Sequence, residues 1–475
     1  MPTRAFALTD DAPAELTEGL SRLQEEVGLS EDFSEAAEEE AFATCGEPRL
    51  PAADLTAIDF FAIDPPGARD IDQIMELSRD GSGYLVRYAI ADLTAFLTPG
   101  GPIDQEAHQR GQTFYAPNRR FPLHPPVLSE GAASLHAGQT RPAYVWQMRL
   151  GRDGEVIDVD LGRAIVRSRA QLTYAQAQEQ LDSKRADPQL ELLREIGTKR
   201  LGVEIARGGV SLNLPAQEVE VVDDEWRLVF RAAREVEDWN AQISLLTGIC
   251  AANIMLDAKV GIVRTLPAAT AQATDRLRVI AEALGQSWPR DLGYPDFVRS
   301  IDPTTPRGVA MMYACTALFR GADYAAFDGE LPEETEHAAL ATPYAHTTAP
   351  LRRLVDRYSL ACCTAIVAGE EVPDWVRQAL PDLPAEMKAS SQRASRFERG
   401  ILDLVEALAL SPHVGQQFEG TVVEVDPDKP ERGGLLLDAL AVEAPVSGPG
   451  LVAGERVKAT LEMADVVEGK VRFTV

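Results

Sequence analysis

TAIDFFAIDPPGARDIDQ, residues 56–73, runs from an apolar, strand-like segment into three aspartates, with Pro65, Pro66 and Gly67 separating Asp64 from Asp70 and Asp72. Carboxylates this close repel and raise one another's pKa, so a fold that gathers them offsets the repulsion with a cation. Oxygen ligands suit Mg²⁺ or Mn²⁺, whereas zinc prefers His and Cys. The stretch alone leaves a second reading open, an acidic loop that holds nothing.

The flanks place the aspartates at the end of a strand. Residues 55–64 and 84–91 (YLVRYAIA) are rich in branched and aromatic side chains, and Asp80-Gly81-Ser82-Gly83 between 73–79 and Tyr84 is a hairpin signal. Asp70 and Asp72, two apart, are expected to face the same way if extended, with the stiff Pro-Pro-Gly bend bringing Asp64 back toward them.

Residues 108–170 hold nine arginines against five acids, and four prolines within 117–126 predict that 110–142 is an ordered loop over the domain surface. Tyr115 lies there beside Arg110, Arg119 and Arg120, a mixture that stacks bases and holds phosphates; a simply packed tyrosine is the plainer reading. Strands are expected near 144–150 and 155–160, after which RSRAQLTYAQAQEQL (167–181) becomes helical. Beyond a polar break at 184–190, a helix leads to Gly208-Gly209 and strands follow near 210–222 and 226–232. Glu237 and Asp238 then head a long, mostly apolar helix over 235–256.

TPYAHTTAPLRRLVDRYSLACC (342–363) is the second informative stretch. Pro350 marks a helix start, which puts Arg352, Arg353, Asp356 and Arg357 in its first two turns. Cations there oppose the helix dipole and call for an anion, for which phosphate on the free N–H groups is suited. The alternative is a salt-bridged helix with Asp356 paired to Arg352 or Arg353. Arg393, Arg396 and Arg399 form a second basic stripe on a later helix.

Residues 1–50 carry 13 acids against 3 bases and read as two short helices. The first has Leu16, Leu20, Leu23 and Val27 at helical spacing and stops at Gly28; the second is expected to be capped by Ser30 ahead of Glu31 and Asp32. They either pack on the main domain or form a small helix-turn-helix-like appendage. From Gln416 onward, four or five short strands predict an OB-type barrel. With 11 acids against 6 bases over 415–475, and Phe418 and Phe473 as its only aromatics, the barrel is a poor clamp for RNA.

A chain of 475 residues suggests several domains, and 45% hydrophobic with 25% charged residues is ordinary for a globular protein. No run approaches a membrane span and no secretory signal is read at the N-terminus. The five cysteines include no CxxC pair, which suggests reduced thiols in the cytoplasm. The net charge of −28 argues against a protein that coats nucleic acid, while leaving room for a basic channel inside an acidic shell.

In order, IDPPGARDIDQ, YAIAD (88–92), RGQTFYAP, FPLHPPVLSEGAASL, RSRAQLTY and YAHTTAPLRR resemble the RNB catalytic domain of the RNase II family of exoribonucleases, over roughly residues 51–405. Residues 415–475 resemble the S1 domain that ends these proteins, and 1–50 stand in place of the paired N-terminal cold-shock domains of many members. The resemblance implies a mixed α/β RNB-type domain, a short helical N-terminal segment and a C-terminal OB-type, S1-like β-barrel. It implies an enzyme that hydrolyses single-stranded RNA processively from the 3′ end to nucleoside 5′-monophosphates, using Mg²⁺; a monomer is expected, with DNA not expected as a main substrate and no membrane partner expected.

Position by position, the resemblance makes Asp64, Asp70, Asp72 and Gln73 the metal set, with Gln73 standing where the family has a fourth aspartate. Asp72 orients or activates the water, Asp70 assists as a ligand, and Arg352 neutralises transition-state charge. Tyr115 and Tyr174 stack the RNA, with Arg110, Arg119 and Arg353 as further contacts, and Glu237 or Asp238 takes the place of an acid on a later helix. Gln73, and Ala349 where the family usually has Ser, leave an alternative: an RNB-type protein that binds RNA 3′ ends without degrading them. A hydrolase of small phosphate esters would leave the long Arg and Tyr stretches idle.

Overall fold

The computed structural model describes residues 13–117, 119–212, 214, 216–222, 225–231, 233–437 and 443–475, with the backbone alone for 216–222 and 225–231. Helices α1 (Ala14–Val27) and α2 (Glu35–Gly46) come first. Gly28 ends α1 at φ +70°, as expected, but the cap of α2 is Ser34, whose Oγ accepts from the Ala37 amide at 3.3 Å. Ser30 is spent on a local turn, accepting from the Asp32 amide at 3.0 Å.

Strands β1 (Ala53–Asp54), β2 (Phe60–Asp64), β3 (Gln73–Asp80) and β4 (Gly83–Ala91) precede α3 (Pro102–Arg110), the short ribbon β5 (Phe114–Tyr115) and β6 (Arg120–Phe121), then β7 (Thr140–Leu150) and β8 (Val156–Thr173). All but the ribbon form one sheet in the order β1-β8-β2-β3-β4-β7. The long β8 pairs antiparallel with β7 up to Arg167 and parallel with β2 from Ser168 to Thr173, so the sheet closes on itself. Residues 167–173 therefore stay extended where a helix was expected, because they cover the buried Phe60–Ile63 run of β2. The helix waits for a capping box at Thr173, whose Oγ1 accepts from the Gln176 amide at 3.2 Å while Gln176 Oε1 accepts from the Thr173 amide at 2.8 Å.

Helices α4 (Tyr174–Asp182), α5 (Pro188–Ala206) and α6 (Glu235–Ala258), the last two separated by the hairpin β9 (Ala216–Val222) and β10 (Glu225–Arg231), cover one face. By length and composition α6 reaches what a membrane span needs, which corrects the expectation that no run does. It is a core helix, however, burying Val236, Trp239, Ile243, Leu246, Ala251 and Met255. The ribbon β11 (Val260–Thr265) and β12 (Asp323–Asp328) encloses α7 (Ala271–Ala283), α8 (Tyr294–Ser300) and α9 (Pro306–Cys315), whose apolar cluster also takes Val423 and Leu436 of the C-terminal unit. After the two-residue strands β13 (Glu336–His337) and β14 (Thr342–Pro343), α10 (Leu354–Ala368) enters the main core. Beyond α11 (Asp374–Ala379), the 28-residue α12 (Leu383–Leu410) runs to a closed barrel of β15 (Gln417–Val425), β16 (Arg432–Leu437), β17 (Glu443–Ser447), β18 (Arg456–Asp465) and β19 (Lys470–Thr474). The five cysteines are unpaired and four of them are buried.

Candidate active site

The loop from Asp64 to Gln73 turns at Gly67 (φ +76°), a conformation that suits glycine. Ser134 fastens it, its Oγ accepting from the Ile71 amide at 2.9 Å and donating to the Arg69 carbonyl at 2.7 Å. Leu135 N donates to the Ile71 carbonyl at 3.0 Å, and Gln171 of β8 donates to the Ala68 carbonyl at 3.2 Å. Held this way the loop is not an extended strand, the condition under which Asp70 and Asp72 were expected to face the same way, and the two carboxylates bond different partners.

Asp72 is 3% exposed, and its two oxygens meet a segment about 280 residues away: Oδ1 accepts from the Leu351 amide at 2.8 Å and Oδ2 from Arg352 Nε at 3.1 Å. Burial pushes its carboxyl up to about 7, with Arg352 pulling against it and Asp70 adding to it. Burial likewise pushes Asp64 up to about 7, with Arg352 opposing and Asp70 adding to it. Asp64 Oδ2 is buried without a hydrogen-bond partner, and so is Gln73 Oε1. Phe61 of β2 pairs with Met75 of β3, which puts the end of β2 at Asp64 and the start of β3 at Gln73 on neighbouring strands. Asp70 faces the ribbon, accepting from Tyr115 OH at 3.0 Å and from Arg120 Nη1 at 3.3 Å, while Arg120 Nη2 pairs with Glu130 at 2.6 Å.

Arg352 does not sit inside α10, as Pro350 led one to expect, but in the turn before it. Asp356 makes that turn: its Oδ1 accepts from the Ala349 amide at 2.7 Å and from Arg353 Nη2 at 2.8 Å, and its Oδ2 from Arg353 Nε at 2.9 Å. Arg353, extended at φ −137°, becomes the N-cap residue, and Arg352 is left with its side chain 39% exposed. Among the described residues the Arg352 side chain donates only to Asp72, through Nε, and no acceptor takes its terminal nitrogens.

Of the residues read as RNA contacts, Tyr115 bonds Asp70 and Tyr174 lies within electrostatic reach of Asp64. Tyr115 is 44% exposed, and Tyr174 accepts from Asn240 Nδ2 at 3.2 Å, its phenol pushed up to about 12 by burial and then by the charge of Asp64. Glu237 sits at the start of α6, its Oε1 accepting from the Arg234 amide at 3.1 Å, and contributes to raising Tyr174. Three arginines are spent elsewhere. Arg353 is locked to Asp356; Arg110 donates to the Ser30, Asp32 and Pro122 carbonyls; Arg119 turns to Glu31 at 3.4 Å. It is Arg120, the neighbour opposite Tyr115 in the ribbon, that reaches the aspartate loop. The choice between Arg119 and Arg120 depended on the parity of a turn, which only the Tyr115 pairing reveals. Asn240 and the Leu351 amide left no signal in the sequence.

Among the described residues no three Asp, Glu, His or Cys side chains close on one point as a metal cage. The atoms open to a ligand are Asp64 Oδ2 and Gln73 Oε1, together with the second lone pairs of Asp70 and Asp72. That donor set is all oxygen and fits a hard cation of the Mg²⁺ kind, with one carboxylate replaced by a neutral amide.

The RNB domain family matches residues 52–367, and the RNase II-type exonuclease C-terminal S1 domain matches 416–475. Ribonuclease R of Escherichia coli is 26% identical over 437 residues, covering 85% of this chain and 51% of that protein. The chain spans between 33% and 60% of the length of the curated relatives it matches. Among solved structures, Mycoplasma genitalium RNase R in complex with ribose-methylated single-stranded RNA superposes with a TM-score of 0.81 at 16% identity, over 97% of this chain and 78% of that one. Yeast Ssd1, described as a pseudonuclease, gives a TM-score of 0.67 at 16% identity, over 94% of this chain and 57% of its own. The match to the RNB domain takes in Asp64 to Gln73, the Tyr115 ribbon, Tyr174 and Arg352 together, and the chain belongs to the RNB family of RNase II-type proteins.

Proposed function

We propose that the chain is an Mg²⁺-dependent exoribonuclease that hydrolyses single-stranded RNA processively from its 3′ end to nucleoside 5′-monophosphates. The observation that carries this reading is the junction of Asp72 with Leu351 and Arg352, which leaves the terminal nitrogens of Arg352 without an acceptor beside a loop where Asp64 Oδ2 and Gln73 Oε1 lack partners. Arg352, tethered by Nε, offers its terminal nitrogens to the phosphoryl oxygens, where a preorganised donor counts most as charge develops. Asp72 orients the attacking water through the lone pairs it does not give to Leu351 and Arg352. Asp64, Asp70, Asp72 and Gln73 would hold Mg²⁺, which would supply Lewis acidity to the water and the phosphoryl group. Tyr115 and Tyr174 take base faces rather than base edges, which favours passage of any sequence.

The neutral Gln73 favours a second reading, an RNB protein that binds RNA 3′ ends without cutting. The two separate on single-stranded RNA with a free or a blocked 3′ end, with chromatography of the products. The enzyme releases nucleoside 5′-monophosphates from the free-ended RNA and none from the blocked one. RNA bound and recovered intact in both cases identifies the binder.

A further inference from the structure

The β5–β6 ribbon has two faces. Phe114 pairs with Phe121 and Tyr115 with Arg120, so strand alternation sends the phenylalanines one way and the Tyr115/Arg120 pair the other, onto Asp70. Phe114 and Phe121 are 4% and 5% exposed and meet the ring of Phe397 on α12 edge-on, with centroids 6.4 and 6.2 Å away. The apolar cluster that holds these three rings also holds Leu16, Leu20 and Val27 of α1.

Polar contacts repeat the same link at the edges of the ribbon. Arg110 Nη1 donates to the Ser30 carbonyl at 2.8 Å and to the Pro122 carbonyl at 3.1 Å, bridging the N-terminal segment to the residue that follows β6. Its guanidinium lies 3.8 Å from the ring centroid of Phe33, and Glu31 takes Arg119 at the ribbon tip. Among the described residues no hydrogen bond or ion pair joins 14–34 to Asp64, Asp70, Asp72 or Arg352. The ribbon is the part of the site that the N-terminal segment touches directly, while a second path runs from Arg110 through Gly111 and Thr113, which bond Leu354 and Arg352.

We propose that residues 14–34 are a strut that positions the Tyr115–Arg120 ribbon against Asp70, so that this segment sets affinity for an RNA 3′ end without touching the RNA. Arg110 and Leu20 are its positioning residues. The part of the claim that concerns RNA rests on the function proposed above, and the part that concerns the ribbon does not.

Amide exchange tests the ribbon directly. Arg110→Met and, separately, Leu20→Ala should speed exchange at Ala116 and Leu123, whose amides donate to the Arg119 carbonyl at 2.8 Å and Thr113 Oγ1 at 3.0 Å, about tenfold or more, with β3 and β4 unchanged. If Leu20→Ala does not fold, Arg110→Met carries the test. Unchanged exchange at both amides overturns the strut. In an Asp72→Asn background, fluorescence anisotropy with a single-stranded RNA oligonucleotide should show either substitution weakening binding about tenfold. If the ribbon carries the effect, that loss should vanish when Tyr115→Ala and Arg120→Ala are already present. An equal loss in both backgrounds overturns the claim. Failure of the Asp72→Asn protein itself to bind RNA counts against the proposed function and leaves the strut to be judged by exchange.

Discussion

The catalytic domain and the C-terminal barrel treat charge in opposite ways. The catalytic domain buries Asp72, Asp92, Asp104, Asp356 and Arg357, each 5% exposed or less, and meets the cost with ion pairs and backbone amides. Among the described residues of the barrel, Thr421 is the one buried polar side chain, and pairs such as Arg472–Glu462 (3.1 Å) and Arg456–Glu419 (3.4 Å) lie on its outside. Apolar packing suffices to fold a small barrel around Val422, Leu435, Leu461 and Phe473. Buried charge seldom improves stability over an apolar core of the same shape. Asp72 and Asp356 hold Arg352 and Arg353 at the site, and that part of the buried charge is better explained by what the site does than by how the domain holds together.

If that contrast is sound, the largest effect belongs to Arg352. Arg352→Ala should lower the single-turnover rate of RNA shortening by about a thousandfold, the scale seen when one preorganised donor to a developing anion is removed. Next comes the buried support. Asp356→Ala strands Arg353 in the core and should cost about 3–5 kcal/mol in denaturant unfolding. The same removal on the barrel surface, Arg472→Ala, should cost less than about 1 kcal/mol. Equal costs would dissolve the distinction between the regions. For RNA, deleting 415–475 should weaken binding less than Arg352→Ala does, and the reverse order would make the barrel a principal clamp.

A smaller effect sharpens the comparison through pH. Asp64 and Asp72 are raised from 3.8 to about 7 by burial, so the folded chain keeps protons that the unfolded chain releases. Without metal, their contribution is fully present below pH 4 and is lost as the pH rises toward 7. Mg²⁺ needs the ionised carboxylates, so its stabilising shift in Tm should grow between pH 6 and pH 8, roughly by a few degrees. Thermal scans with and without Mg²⁺ across that range check this, and a shift that does not vary with pH would speak against these two carboxylates as ligands.

Local signals in the sequence carried far. The hairpin at 80–83, the strands at 84–91 and 144–150, Gly28 as a helix stop and the five-stranded barrel follow from turn chemistry, branched residues and spacing. What escaped was non-local. Residues 167–173 look helical until β2 lies beside them, and α10 starts at Leu354 rather than near Pro350 because Asp356 reaches back to the Ala349 amide. The stretches 56–73 and 342–363 each carried an unexplained excess of charge, negative in one and positive in the other. Their meeting at Asp72 and Arg352 was readable through the family resemblance and not from spacing. Arg110 shows the converse: an arginine in a basic, aromatic loop looked like a phosphate contact and proved to be a crosslink to the N-terminal segment.

The most direct test is the fate of a 5′-labelled single-stranded RNA, followed over time with Mg²⁺ and with chelator, for the unaltered chain and for Asp72→Asn. The account predicts shortening from the 3′ end by the unaltered chain with Mg²⁺, none with chelator, and an Asp72→Asn protein that binds the RNA and leaves it whole. Shortening that persists in chelator or in Asp72→Asn would contradict it, as would an unaltered chain that holds the RNA and never cuts it.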